Sequence, residues 1–294
     1  MISQLNAIAG LLSTWITYFA AFYCAALGCG VLVRRGFLPL HLSAVTGISA
    51  YAFAASCGHF HSFPAAVAVA LSTSAVFSLF VGSIFSRVRA ASAALASIAI
   101  QLIFEEHVRT ASWTGGSQGL WQGIPAMSPF QRVVLAAVLL AICSQLYRLF
   151  GHTTAARRIT ADGLSGKFYQ SVSVHSAVVP ILVANLLVGL LGGCAGILLA
   201  LQIGLVAPAT FSLYFSILYV SVILLVGYAN LASIAFGSFI LGVLPEVLRF
   251  TGLGTVNRSA WQGLIVGALL LSFVVLQLPR WNLRTSAVLT RGKS

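Results

Sequence analysis

The chain has 294 residues, of which 59% are hydrophobic and only 7% charged. A soluble domain carries about 25% charged residues, so a fully water-facing surface is excluded and lipid is left as the solvent of much of this chain. The 16 Lys and Arg against 4 Asp and Glu give a formal charge of +12; these basic residues lie between apolar runs, which points to an anionic membrane surface and not to nucleic acid.

In lipid the backbone must satisfy its own hydrogen bonds, so only helices or a closed barrel cross. The apolar runs here are long and continuous instead of alternating, which predicts an all-α, polytopic membrane protein. At roughly 20 apolar residues per span the chain holds about nine transmembrane helices, with eight to ten compatible. They fall at 9–33, 37–58, 63–85, 90–106, 130–150, 177–203, 211–228, 230–250 and 261–279. The second, fourth, seventh and eighth are short or joined by almost no loop, and one of them is compatible with a re-entrant segment. The whole chain, 1–294, reads as a single transmembrane domain. The start of the chain lacks a basic n-region and a clear cleavage site, so no removable signal peptide is expected. Cys24, Cys29, Cys57, Cys143 and Cys194 all fall inside apolar runs and read as packing residues, not as a disulfide frame or a zinc site.

Basic residues concentrate in cytoplasmic loops. With a cytoplasmic C-terminus, alternating spans place Arg34, Arg35, Arg87, Arg89, Arg148, Arg157, Arg158 and Lys167 inside, with Arg280, Arg284, Arg291 and Lys293 of the tail. Arg109, Arg132, Arg249 and Arg258 fall outside. The N-terminus is then periplasmic, in an inner membrane. Two long polar connections remain, 107–129 on the outer side and 151–176 on the inner side, and loops of such length usually have work of their own.

Thr114-Gly115-Gly116-Ser117-Gln118-Gly119-Leu120 places three glycines in five residues. It reads either as a tight turn or as a backbone cradle at a membrane mouth for a zwitterionic solute. It is not a phosphate loop, since the Lys-Ser/Thr ending is absent, and no such motif occurs elsewhere in the chain. ATP hydrolysis is therefore not expected of this chain.

Glu105 and Glu106 end the fourth run, followed by His107 and Arg109. A carboxylate deep in a bilayer costs roughly 3 kcal/mol and is then retained for function, whereas at the interface it anchors to water; both readings stand for this pair. Glu246 follows Pro245 and precedes Arg249 by three residues, the spacing of an ion pair on one helix face. His59-x-His61 lacks a third ligand nearby and reads as an interfacial turn, so neither a metal nor another cofactor is expected. Asp162 is the only Asp and sits in the basic inner loop, which leaves no Ser-His-Asp set for an intramembrane hydrolase. In that loop, Thr154-Ala155-Ala156-Arg157-Arg158 suits a short amphipathic helix that Gly163 can end. Such a helix either docks on a soluble partner or lies solvated against anionic lipid.

Several segments taken in order resemble the LivM-type permease of branched-chain amino acid ABC importers. They are Gly36–Tyr51 (GFLPLHLSAVTGISAY), Arg87-Val88-Arg89, Thr114–Leu120, Gly192–Phe211 (GGCAGILLALQIGLVAPATF, with Pro208 in its turn) and Leu244-Pro245-Glu246-Val247-Leu248-Arg249. The likeness runs from about residue 30 to 280. In the family the inner loop usually carries an Arg followed by acids; here Arg158 is followed by Ile159, Thr160 and Ala161. The resemblance implies a permease subunit that pairs with a second, LivH-like permease. Cytosolic ABC ATPases and a periplasmic solute-binding protein complete the assembly. It implies a solute path for branched-chain amino acids or similar small polar solutes near Thr114, Gly115, Gly116, Gly119, Glu105 and Glu106. ATPase coupling then falls to Arg157, Arg158, Asp162 and Lys167, with Pro208, Pro245, Glu246 and Arg249 in structural roles. A stand-alone secondary carrier and a non-transporting assembly subunit are the rival readings. The first needs intramembrane charges for ion coupling, and few are present.

Overall fold

The computed structural model describes residues 2–60, 62–88, 90–121, 123–161, 178–248, 264, 267–268 and 271. The elements are α1 (Ile2–Val33), α2 (Leu42–Phe60), α3 (Phe63–Phe85), α4 (Ala90–Thr110), α5 (Pro129–His152), α6 over residues 154–161, α7 (Val178–Ile203), α8 (Leu213–Val226) and α9 (Leu231–Leu248). Short 3-10 turns at Ser112–Thr114, Gly116–Gln118 and Pro208–Phe211 complete the list. Among the described residues there is no strand, only one isolated bridge between Leu120 and Val206.

Two compact units divide the chain, Met1–Val243 and Leu244–Ser294. In the second, the described residues are the last turn of α9 and helical positions 264, 267, 268 and 271, where Leu264 and Leu271 are exposed. The rest of the fold belongs to the first unit.

Five helices are long and apolar enough to cross a membrane: Ala9–Val33 of α1, α3, α5, α7, and Pro208–Val226, which contains α8. A polytopic membrane protein follows. The count of nine spans does not: α2 and α4 fall short of that measure, α9 contributes the shorter apolar stretch Leu231–Val243, and the span expected at 261–279 lies almost wholly outside the described residues. Burial explains α2. Its Ser43, Thr46, Ser49 and Ser56 are all buried against other helices, so its surface meets protein, not lipid, and need not be greasy.

The centre of the bundle is α7, which packs on α1, α2 and α3. Of the apolar windows in α1 and α7, 78% is buried, against 22% in α5. Helices in lipid gain little from burying apolar surface and instead associate through close packing at small residues. Two glycine lanes on α7 serve this. A Cβ at Gly189 would stand 2.7 Å from Ala75 Cα, and one at Gly193 2.5 Å from Ser74 Oγ, so this lane seats α3. A Cβ at Gly192 would stand 2.9 Å from Val45, and one at Gly196 2.1 Å from the Thr46 carbonyl, so the other lane seats α2. At that distance hydroxyls reach the α7 backbone: Ser74 donates to Gly189 O at 2.9 Å and Ser49 to Gly193 O at 2.8 Å. The opposite, lipid-ready surfaces carry Val76 and Phe80 on α3, Leu95 and Ile103 on α4, and Phe130, Val138, Ile142 and Leu149 on α5, all exposed.

Local chemistry sets the helix ends. Ser128 and Gln131 form a reciprocal capping box at the start of α5, with Pro129 in the first turn. Buried Arg35 donates to Phe85 O at 2.8 Å, satisfying the last carbonyl of α3, and to Val88 O of the link that follows at 3.3 Å. Thr153 ends α5 and starts α6: its hydroxyl donates to Phe150 O and accepts from Ala156 N. In α6, Ala156 and Ile159 are buried while Arg157 and Arg158 are exposed, the short amphipathic helix that the sequence predicts.

Candidate functional site

The sequence contains two interruptions of the same kind. After α1 the chain turns at Gly36, with φ 87°, passes Pro39 and re-enters as α2. After α7 it turns at Gly204, with φ 70°, passes Pro208 and re-enters as α8. Both glycines hold the left-handed backbone that other residues adopt at a cost. A helix that starts inside a bundle exposes unpaired N–H groups, and these must find partners where water is scarce.

Gln101 of α4 gathers both starts. It is fully buried. Its Oε1 accepts from Ala44 N of α2 at 2.8 Å and from Ser216 Oγ of α8 at 3.3 Å. Its Nε2 donates to Phe211 O at 2.8 Å and to Glu105 Oε1 at 3.1 Å. One amide thus makes the four bonds available to it. Ser216 Oγ also accepts from Ser43 N at 2.8 Å, so α8 and α4 between them satisfy the first turn of α2. Glu105 in turn accepts from Leu213 N, the first amide of α8. A carboxylate at a helix N-terminus answers both the free amide and the positive end of the dipole. Around this node, Ser43 and Tyr51, the latter with its ring 6.3 Å from that of Phe211, each keep a buried side-chain polar atom without a hydrogen-bond partner. Buried polar atoms of that kind are rare in a finished core; here they line the seam where the two interrupted helices meet.

The glycine-rich motif lies at the end of the bundle where α4 finishes. Thr114 is buried and donates to Val108 O at 2.7 Å and Ala111 O at 2.6 Å, closing the C-terminus of α4. Gly115, Gly116 and Gly119 have φ of 76°, 58° and 79°. A Cβ at Gly115 would meet Gly119 O at 2.2 Å, and one at Gly119 would meet Val206 O at 2.3 Å. The motif is therefore a turn packed on itself, and the paired Leu120 and Val206 fasten it to the interruption after α7, with N–H to O distances of 2.8 and 2.9 Å. Glu106 is exposed beside it and pairs with Arg109 at 3.7 Å; an exposed pair of this kind adds little stability.

Glu105 and the glycine turn thus meet the same element, residues 204–213, from two sides. Pro208 begins the buried 3-10 turn within it. Pro245 and Glu246 fall within α9; the pairing of Glu246 with Arg249 lies outside the described residues, as do Asp162, Lys167 and His61. Arg157 and Arg158 sit at the opposite end of the bundle, with Arg34, Arg35, Arg87 and Arg148. Gln101 and the hydroxyls around it carry no sequence motif. The legible signal is one amide in the middle of an otherwise apolar run, since a polar group at that depth needs a partner.

Five lipid-length spans among the described residues, with α2 and α8 resuming inside the bundle around a buried polar node, define a polytopic membrane protein. Residues 11–274 match the family described as branched-chain amino acid transport system / permease component, and the chain belongs to that family. This is the family that the sequence motifs resemble. No curated protein and no solved structure matches the chain.

Proposed function

We propose that the chain is the membrane-spanning permease subunit of an ABC importer, a single transmembrane domain in a bacterial inner membrane. Its cargo is branched-chain amino acids or similar small polar solutes. The observation that supports this best is the node at Gln101, in a chain of a transport family. The starts of α2 and α8, held by one amide and one carboxylate, are in this reading the element that shifts between two arrangements, the physical requirement for alternating access.

In this reading the glycine end faces the periplasm and the basic end the cytoplasm, by the excess of arginine at the latter. Thr114, Gly115, Gly116 and Gly119 shape the mouth, Glu106 stands at its rim, and Glu105 ties the mouth to α8. A second, LivH-like permease forms the other wall of the path, and a periplasmic binding protein delivers the solute. Separate cytosolic ATPases press on Arg157 and Arg158 of α6, with Asp162 and Lys167 following in the same loop.

The test is uptake by the complete transporter reconstituted in vesicles, driven by ATP. Replacing Arg157 and Arg158 together by Glu is expected to abolish ATP-driven uptake while membrane insertion stays normal. Unchanged uptake overturns the coupling role. Uptake that persists without ATP and collapses with the proton gradient overturns the ABC reading in favour of a secondary carrier.

A further inference from the structure

At the basic end a cleft of about 600 Å³ is lined by Arg34, Tyr147, Arg148, His152 and the Tyr228–Leu231 turn that opens α9. The volume lies within the range of small-ligand sites, roughly 300–1,000 Å³. No Asp or Glu occurs among the described lining residues. Glu105 and Glu106 stand near the far end of α4, at the opposite end of the bundle.

Arg34 is held in place. Its guanidinium carbon lies 5.1 Å from the Tyr147 ring centre and 5.5 Å from that of Tyr228, and Tyr147 is fixed by donating to Tyr228 O at 2.6 Å. The rings attract the charge, yet Arg34 Nε is buried with no hydrogen-bond partner. Arg34 also lines a second cleft of about 350 Å³ with Arg157. The C-terminal ends of α1, α5 and α8 bring partial negative charge to this region, roughly half a unit each. Two full guanidinium charges and the N-terminus of α9 at Leu231 outweigh it.

The route in is lipidic. Val134, Ala137 and Ala141, all exposed and at helical spacings of 14, 11 and 7 residues before Arg148, lead along its own face of α5 to Arg148, with His152 one turn further on. An anion on the headgroup of a lipid whose chains lie on that face meets both arginines without leaving its leaflet.

We propose that this cleft binds the phosphodiester headgroup of an anionic glycerophospholipid, with Arg34 and Arg148 as its charge partners. The site is separate from the Gln101 node and does not depend on the identity of the transported solute.

The full-length chain, purified in a neutral detergent, is offered phosphatidylglycerol or phosphatidylcholine with identical acyl chains, and retained lipid is counted by native mass spectrometry. Phosphatidylglycerol is expected to be retained in preference. Arg148→Gln and Arg34→Gln are each expected to weaken it roughly fivefold, the effect of losing one basic residue near an anionic lipid. Arg87→Gln, at the same end but outside the cleft, leaves retention unchanged. Equal retention of the two lipids overturns the proposal, as does retention unaffected by Arg148→Gln. Displacement of the lipid by millimolar inorganic phosphate overturns the lipid assignment in favour of a free-anion site. Because Arg148 is exposed, its variant carries the test even if loss of the stacked Arg34 prevents folding.

Discussion

Replacing Gln101 by Leu keeps nearly the same side-chain volume and removes the amide that joins α2, α4 and α8. The size of the effect follows from what each partner does next. Ala44 N falls back on His41 O, to which it already donates at 3.0 Å, and Ser216 Oγ still accepts from Ser43 N. Phe211 O loses the Gln101 donor, and Glu105 keeps Leu213 N but loses the amide beside it. Hydrogen bonds between membrane helices average ~0.6 kcal/mol, and a buried acceptor left empty costs about 1–3 kcal/mol. The expected destabilisation is therefore ~2–3 kcal/mol, since the Phe211 carbonyl dominates and the other contacts add tenths each. Denaturant titration of the purified protein in mixed micelles, followed by circular dichroism, measures it. ATP-driven uptake by the complete transporter is expected to fall with it. A shift below ~0.5 kcal/mol, the size of an ordinary surface substitution, together with full uptake, refutes the view that Gln101 holds the two interrupted helices together.

Glu105→Gln keeps an oxygen for Leu213 N and is expected to retain most of the stability, whereas Glu105→Ala leaves the start of α8 uncapped and loses about 1 kcal/mol; the same titration separates them, and equal losses would show that the charge, not the acceptor, matters. Gly196→Val places a side chain where the Thr46 carbonyl already stands, at 2.1 Å from the Cβ position, so α2 and α7 must part. A loss of at least about 1–3 kcal/mol is expected, visible as poor yield of folded protein, while Gly10→Ala, with nothing within 4 Å of its Cβ position, is expected to be nearly neutral.

Much of the fold is written in the composition. Because lipid admits only self-bonded backbone, long apolar runs with 7% charge had to become helices; α3, α5 and α7 begin and end close to the expected limits, and α1 ends at the expected Val33 but begins at Ile2, seven residues before the expected start. The short helix at 154–161 was legible from its alternation of small, apolar and basic residues. The second span is expected from residue 37, whereas α2 begins at Leu42, because hydropathy does not register that Phe37, Leu38, Pro39 and Leu40 are apolar without being helical. Pro39 and Pro208 mark both breaks, but a proline does not say whether the chain leaves the membrane or turns within it.

What the sequence determined by itself was the solvent of this chain, its helical class and its family, since these depend on local hydrophobicity and on motifs read in order. What only the tertiary structure decided was the use of each polar residue. Glu105 stands at the edge of a run, yet it meets Leu213, and Gln101 meets Ala44 and Phe211. Those partners are distant in sequence. A buried donor or acceptor is satisfied by whatever the packing brings within 3 Å or so, and it was the glycine lanes of α7 that brought α2 and α3 close enough to fix that packing.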